Sequence, residues 1–300
     1  MAKKKLNKQN HKLVIAISSR ALFDLDKSHQ IFKEDGIEAY ARHQQENEDI
    51  VLEPGVGFTL VKKLLALSSD KTPIDVILLS RNSADTGLRI FNSIEHYGLN
   101  ISRAAFTRGS STHSFVGAFK ADLFLSSNYH DVQKALQSGF AAASIVESKL
   151  DNIHPTQLRI AFDGDAVIFS DESEKIFHEH GLEAFEKNEK KSAKTELKAG
   201  PFKSFLDSLQ KIQSTFPEEN NPIRTALVTA RSAPSHKRVI HTMREWGIRI
   251  DEAFFLGGLE KGVFLRDFGA DIFFDDQDHN CNSASKYVPT GHVPSGIKNT

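Results

Sequence analysis

Residues 13–23 read LVIAISSRALF, and residues 158–168 read LRIAFDGDAVI. Laid on each other at an offset of 145, both are short apolar runs that give way to small and polar residues at the same point. An unbroken apolar run of this length, without alternation, predicts a strand covered on both faces, as in a parallel sheet. Working outward at the same offset, GIEAY (36–40) falls on GLEAF (181–185) and Gly55 on Gly200. At an offset of 149, residues 74–130 lie on 223–279 without a gap, with 16 identities in 57 positions. Gly98 falls on Gly247, Phe106 on Phe255, Gly109 on Gly258, and Ala121-Asp122 on Ala270-Asp271. Self-similarity over such a span points to an internal duplication.

Each copy reads in the same order: strand, helical insert, strand, helix, strand. Further buried-strand runs fall at 76–79, 121–125, 225–228 and 272–274. Between them, SHKRVIHTMREW (235–246) carries apolar residues at 239, 240, 243 and 246, the spacing of one helix face, and Gly247 stops it. Strands alternating with helices predict βαβ units. The expected fold is therefore α/β, two tandem Rossmann-like parallel-sheet halves, 13–150 and 151–300, with a boundary near the polar stretch ESKLDNIHPTQ (147–157). Residues 171–221 are helical in pattern and rich in Lys and Glu, and they separate two strands that carry candidate site residues. They read as a cap over a site, although a run such as EKNEKKSAK is ordinarily a solvated helix face.

Composition excludes several classes. With 39% hydrophobic and 26% charged residues over 300 positions, the chain can bury a full core. A net charge of −1 gives no field toward nucleic acid or an anionic membrane. The single cysteine, Cys281, allows no intramolecular disulfide, which fits a reducing cytoplasm. No apolar run approaches the length of a membrane span. The basic start MAKKKLNKQNHK, residues 1–12, reads as a solvated tail.

Four features follow one another in the second half: Asp163 and Asp165 in IAFDGDAV, Thr229 in ALVTAR, Lys261 in LGGLEKG, and Asp275-Asp276 in DIFFDDQ. Ligands of parallel sheets bind outside the carboxyl ends of the strands, so adjacent strands would gather all four into one crevice. Crowded carboxylates call for a hard divalent cation such as Mg²⁺, and a carboxylate can itself attack phosphorus. Asp165, two residues on, faces the same side of an extended chain. Gly164 permits close backbone approach to a phosphate. Thr229, with Ala230 beside it, and Lys261 offer a hydroxyl and a positive charge to phosphoryl oxygens. Each piece alone has an ordinary reading as a turn, a cap or a solvated charge, and the ordered set is what carries the signal.

That set resembles the haloacid dehalogenase-like phosphatase superfamily. The strings LVIAISSRALFD, LRIAFDGDAVIFSDESE, LVTARSA and IFFDDQ, with the closing GHVPSG, resemble the cytosolic type I 5′-nucleotidase family over nearly the whole chain. The resemblance implies a haloacid dehalogenase-like fold in both halves and hydrolysis of nucleoside 5′-monophosphates through an aspartyl-phosphate. It implies Asp163 as nucleophile and metal ligand, and Asp165 as general acid/base with its backbone carbonyl on Mg²⁺. Asp275 and Asp276 would be further metal ligands. Thr229, Lys261, Gly164 and Ala230 would hold the substrate. Phe162, Phe202 and Phe205 are candidates to stack a base, with core packing as the plain alternative.

Mapped through the repeat, Asp163 becomes Ser18, Asp165 becomes Arg20, Thr229 becomes Ser80, Lys261 becomes Thr112, and Asp275-Asp276 becomes Ser126-Ser127. The first half thus reads as a non-catalytic copy. It is either a structural partner or an anion pocket built on Ser18, Ser19, Arg20 and Ser80, with the loop TRGSSTH (107–113) beside it. The resemblance implies a nucleotide effector without locating it, and leaves room for a homo-oligomer. Two other readings stand: a phosphatase or phosphotransferase for another small phosphomonoester, and a nucleotide-binding protein without turnover.

Overall fold

The computed structural model describes residues 12–146 and 156–299; the expected tail (1–12, apart from Lys12) and most of the expected boundary at 147–157 lie outside the described residues. Among the described residues ten strands form one sheet: β1 (Leu13–Ser18), β2 (Ile74–Ser80), β3 (Arg103–Phe106), β4 (Leu123–Ser126), β5 (Ala142–Val146), β6 (Leu158–Phe162), β7 (Ile223–Thr229), β8 (Glu252–Phe255), β9 (Ile272–Asp275) and β10 (Thr290–His292). Their order is β3-β2-β1-β4-β5-β10-β9-β6-β7-β8. Read from the middle outward, each half gives the same sequence of strands: fifth, fourth, first, second, third. All pairings within a half are parallel. The halves join through β5 and β10, which are antiparallel, with Gly291 opposite Ile145. The carboxyl ends of the two strand sets therefore point to opposite ends of the sheet.

Strand alternation divides the core. Leu13, Ile15 and Ile17 face the same way as Leu158, Ile160 and Phe162, and these side chains belong to one continuous core shared by both halves. On the other face, Val14 and Ala16 pack into one core and Ala161 and Phe273 into another. Helix Phe58–Leu67 and helix Lys203–Gln213 cover the shared face. Across the two halves Lys63 Nζ bonds both oxygens of Asp271 at 2.6 Å, and Ser208 Oγ donates to Asp122 at 2.6 Å.

The six apolar runs singled out in the sequence are β1, β2, β4, β6, β7 and β9, and the helix expected over 235–246 spans His236–Glu245. β3, β5, β8 and β10 were not foreseen. The expected insert 171–221 divides into two parts with different roles. Helix Lys203–Gln213 is core, with Phe205, Leu206, Leu209 and Ile212 buried. Only Glu172–Lys191, two helices meeting at Gly181 (φ 78°, ψ −177°), forms an arm. The first half carries its own arm, Asp26–Glu46, bent at Gly36 (φ 84°, ψ −173°).

Candidate active site

Asp163 directly follows β6. Its backbone N–H donates to the Phe274 carbonyl of β9 at 2.8 Å, which fixes where its side chain starts. A single loose turn, Gly164–Ile168, follows and is closed by Phe169 N–H to the Gly164 carbonyl at 2.9 Å. Ala166 sits in this turn at φ 59°, a left-handed value unfavourable for a residue with a Cβ. Gly200 seals the turn from below. A Cβ there would meet the Phe169 carbonyl oxygen at 2.3 Å, so the close approach requires glycine.

Lys261, at the start of helix Gly262–Phe268, reaches back to Asp163 Oδ1 at 2.7 Å and Asp275 Oδ2 at 2.6 Å. Asp275 also accepts from Gln277 N–H at 2.8 Å and from Asn280 Nδ2 at 3.1 Å. The carboxyl groups of Asp163, Asp275 and Asp276 each offer an oxygen, and these oxygens lie within 4.8 Å of one another. All three residues are buried. Among the described residues both carboxylate oxygens of Asp276 are buried without a hydrogen-bond partner, while its backbone carbonyl is held by His292 Nε2 and Asn299 Nδ2.

The charges are unbalanced: three carboxyl groups face one ammonium. Burial pushes Asp163 up to about 7, against the pull of Lys261. Burial and the charges of Asp163 and Asp275 push Asp276 up to about 10. Burial works against the charge of Lys261, but Asp163 and Asp275 hold it above its ordinary value. An orphaned, buried, all-oxygen donor set with surplus negative charge fits a hard divalent cation.

Asp165 is not part of this group. Its carboxylate is forked by Arg231, Nε to Oδ2 at 2.8 Å and Nη2 to Oδ1 at 2.6 Å. Arg231 also donates to Glu189 at 2.6 Å, and Glu189 accepts from Arg238 at 2.9 Å and Ser173 at 2.8 Å. Arg238 reaches Glu172 at 2.8 Å. This buried chain of charges ties both ends of the arm to β7 and helix His236–Glu245. Thr229 ends β7, accepts from Arg231 N–H at 3.2 Å, and stands beside Gly164, where a Cβ would lie 3.3 Å from its hydroxyl.

A cavity of about 510 Å³ opens over these groups, lined by Asp163, Asp165, Thr229 and Ala230 at or just beyond the strand ends, by Lys261 at its helix start, and by Phe177, Leu182 and Phe185 from the arm. Phe177 and Phe185 meet edge to face, centroids 6.2 Å apart. Phe162, Phe202 and Phe205 do not reach it. They form a buried aromatic cluster with Phe274, so the base-stacking role considered for them is replaced by core packing.

Sequence reasoning missed Arg231, Glu189, Arg238, Asn280 and the arm's aromatic pair. Signals existed for two of these: Arg89 and Arg238 are identical across the repeat, and GLEAF already contained Phe185.

Comparison with known proteins agrees over almost the entire length. The chain is 39% identical over 293 residues to cytosolic 5′-nucleotidase 1B of Homo sapiens, covering 93% of this chain and 48% of that one. The chain thus spans about half the length of that curated relative. The family model described as 5′-nucleotidase matches residues 5–300, and the chain belongs to the 5′-nucleotidase family.

Proposed function

We propose that this chain is a Mg²⁺-dependent 5′-nucleotidase, converting nucleoside 5′-monophosphates to nucleoside and phosphate through a phospho-aspartate on Asp163. The observation that carries the reading is the convergence of carboxylate oxygens of Asp163, Asp275 and Asp276 within 4.8 Å, with both carboxylate oxygens of Asp276 unpartnered among the described residues. Family membership supplies the reaction class. The cytosolic setting of the relative's name, with a single buried cysteine, supports a cytoplasmic location. Among the described residues no helix is long and apolar enough to cross a membrane.

Asp163, Asp275 and Asp276 would hold Mg²⁺, as would the backbone carbonyl of Asp165; when bound, the ion neutralises phosphate charge and the crowded carboxylates. Asp163 presents an oxygen to phosphorus from the cavity floor. Lys261 and the Thr229 hydroxyl, with the backbone around Gly164 and Ala230, hold the phosphoryl oxygens. Asp165 protonates the leaving 5′-oxygen and then draws a proton from the attacking water. Its carboxylate faces Arg231, so this role requires the side chain to leave that fork. The Phe177–Phe185 pair, with Leu182, lines the same cavity from the arm and offers an apolar, aromatic surface to a nucleobase. That surface favours a nucleotide over a sugar phosphate and makes Glu172–Lys191 the functional part of the cap.

The two halves are read as a duplicated haloacid dehalogenase-like unit, 13–150 and 151–300. The matching strand orders and the matching bends at Gly36 and Gly181 support it.

The test is phosphate release from a panel of nucleoside monophosphates with Mg²⁺ and with chelator. Release is expected with Mg²⁺ only. Asp163→Asn is expected to lower it at least ~10³-fold, since an amide is not a nucleophile. Turnover by that variant near the normal rate would exclude the covalent route.

A further inference from the structure

A second cavity, of about 840 Å³, lies at the carboxyl ends of the first-half strands. It repeats the plan of the candidate active site group by group. Its wall is the arm Asp26–Glu46, where Phe32 and Tyr40 meet edge to face at 6.1 Å and 84°. Phe177 and Phe185, 145 residues later, do so at 6.2 Å and 85°. Ile37 stands where Leu182 stands, and both are 59% exposed. The anchoring is repeated as well. Arg89 Nη1 donates to Gln44 at 3.1 Å where Arg238 donates to Glu189, and Tyr40 O–H bonds Asn82, which occupies the place of Arg231. Gly55 seals the first turn as Gly200 seals the second, and a Cβ on it would meet the Ala21 carbonyl oxygen at 2.9 Å.

The floor differs in its charged groups. Ser18, Ser126 and Ser127 replace Asp163, Asp275 and Asp276, Thr112 replaces Lys261, and Arg20, which takes the place of Asp165, pairs with Asp26 at 3.0 Å. The crowding that demands a cation is gone. The acidic residues that line this cavity are Glu38, Asp85 and Asp131. Asp131 is forked by Arg81 at 2.8 and 2.7 Å and bonded by Ser111; burial pushes its carboxyl up, but Arg81, Ser111 and Thr112 together hold it below the ordinary range. Asp85 accepts from Gln45 at 2.7 Å. Glu38 is exposed on the arm.

Donors are left over. Among the described residues Asn82 Nδ2 is buried with no partner. Arg108 lines the cavity at an exposed position, and among the described residues its guanidinium takes part in no hydrogen bond or ion pair. Arg108 also holds a left-handed backbone, φ 48°, at the place where the second half has Gly257 at φ 57°. A side chain there costs about 1–2 kcal/mol that glycine would not, and the result is a cation at the cavity rim.

We propose that this first-half cavity is a second, metal-independent binding site for a nucleoside 5′-monophosphate. The phosphate lies against the Ser18, Ser126 and Ser127 hydroxyls near Asn82 and Arg108, and the base lies against Phe32 and Tyr40. The ligand class rests on the reading of the second half, because the two walls match. Hydroxyls, an amide and a guanidinium suit an anion that brings no metal.

The test uses full-length protein carrying Asp163→Asn, in EDTA, with AMP, IMP, adenosine and inorganic phosphate as probes in calorimetric titration. One AMP or IMP per chain is expected to bind. Inorganic phosphate is expected to compete, and adenosine to bind at least ~10-fold more weakly. Adding Ser127→Asp, at an exposed position, or Arg108→Glu should each weaken AMP at least ~10-fold while Tm stays unchanged. No binding of either nucleotide in chelator overturns the proposal, as does binding that neither substitution alters, which would place the ligand elsewhere. Mg²⁺-dependent phosphate release by the unmodified protein is read separately, so failure of the nucleotidase reading and failure of this site are distinguishable.

Discussion

Asp276 is the residue that most constrains the chemistry. A carboxyl group with two buried, unpartnered oxygens is costly in a folded chain unless it is protonated or holds a cation. Asp163 and Asp276 both have folded-state values raised above the ordinary carboxylate range, to about 7 and about 10. Between the ordinary value and these raised ones the folded state binds more protons than the unfolded chain. Stability in chelator is therefore complete at acid pH and falls as pH rises through that window. The expected result is a Tm in EDTA that drops from about pH 5 to about pH 9, and a Mg²⁺-induced rise that grows over the same range. Asp276→Asn should raise the Tm in EDTA at high pH and remove most of the Mg²⁺ response. A flat Tm profile in EDTA, unchanged in Asp276→Asn, would mean that the cluster is not held as described. Such residues could be read in the sequence because DGD and DD stand at strand ends, where the backbone dictates convergence. Arg231 and Glu189 could not, because nothing local marks a lone charge as one link in a buried chain.

At the scale of elements, the arm Glu172–Lys191 is attached by charge and bent by glycine. Glu189 is fully buried and accepts from Arg231, Arg238 and Ser173, so Glu189→Ala leaves two guanidinium groups short of a partner. Removing one member of a buried ionic network costs about 3–5 kcal/mol. Glu189→Gln should cost less, because Gln44 already serves the matching arm through a hydrogen bond to Arg89. Chemical denaturation checks both. A loss below about 1 kcal/mol in Glu189→Ala would mean that the network does not anchor the arm. Gly181 occupies backbone space that is nearly closed to other residues, and Gly181→Ala is expected to cost about 1–3 kcal/mol. Because the bend places Phe177 against Phe185, that variant should also raise KM for a nucleotide more than it lowers kcat. The arm's helices could be read from pattern, and its bend from GLEAF. The four missed strands are short and, apart from β10, partly exposed, so they lack the long apolar run that marks β1 or β7. β10 reads only TGH. Its Gly291 is needed because a Cβ would meet the Phe274 ring at 2.7 Å and Ala143 at 3.1 Å, a requirement set by neighbours distant in the chain.

At the scale of the whole molecule, the repeat predicted two halves but not that they share one sheet and, on one of its faces, one core. The β5–β10 pairing makes the sheet continuous, and Lys63–Asp271 and Ser208–Asp122 clamp each half to the other on the shared face. The two cavities then sit at opposite ends of one continuous sheet, whose shared face is packed across both halves. Such a body should unfold as one unit despite its length. The single tryptophan, Trp246, reports only on the second half, where it packs against Phe169 at 5.6 Å. Leu78 in β2 is fully buried in the first half, and Leu78→Ala should cost about 2–5 kcal/mol. With a shared core, that substitution lowers the Trp246 fluorescence midpoint in denaturant by the same amount as the far-UV circular dichroism midpoint. If the Trp246 transition keeps its unsubstituted midpoint while the circular dichroism splits into two steps, the halves are separate folding units and the clamps between them carry little energy.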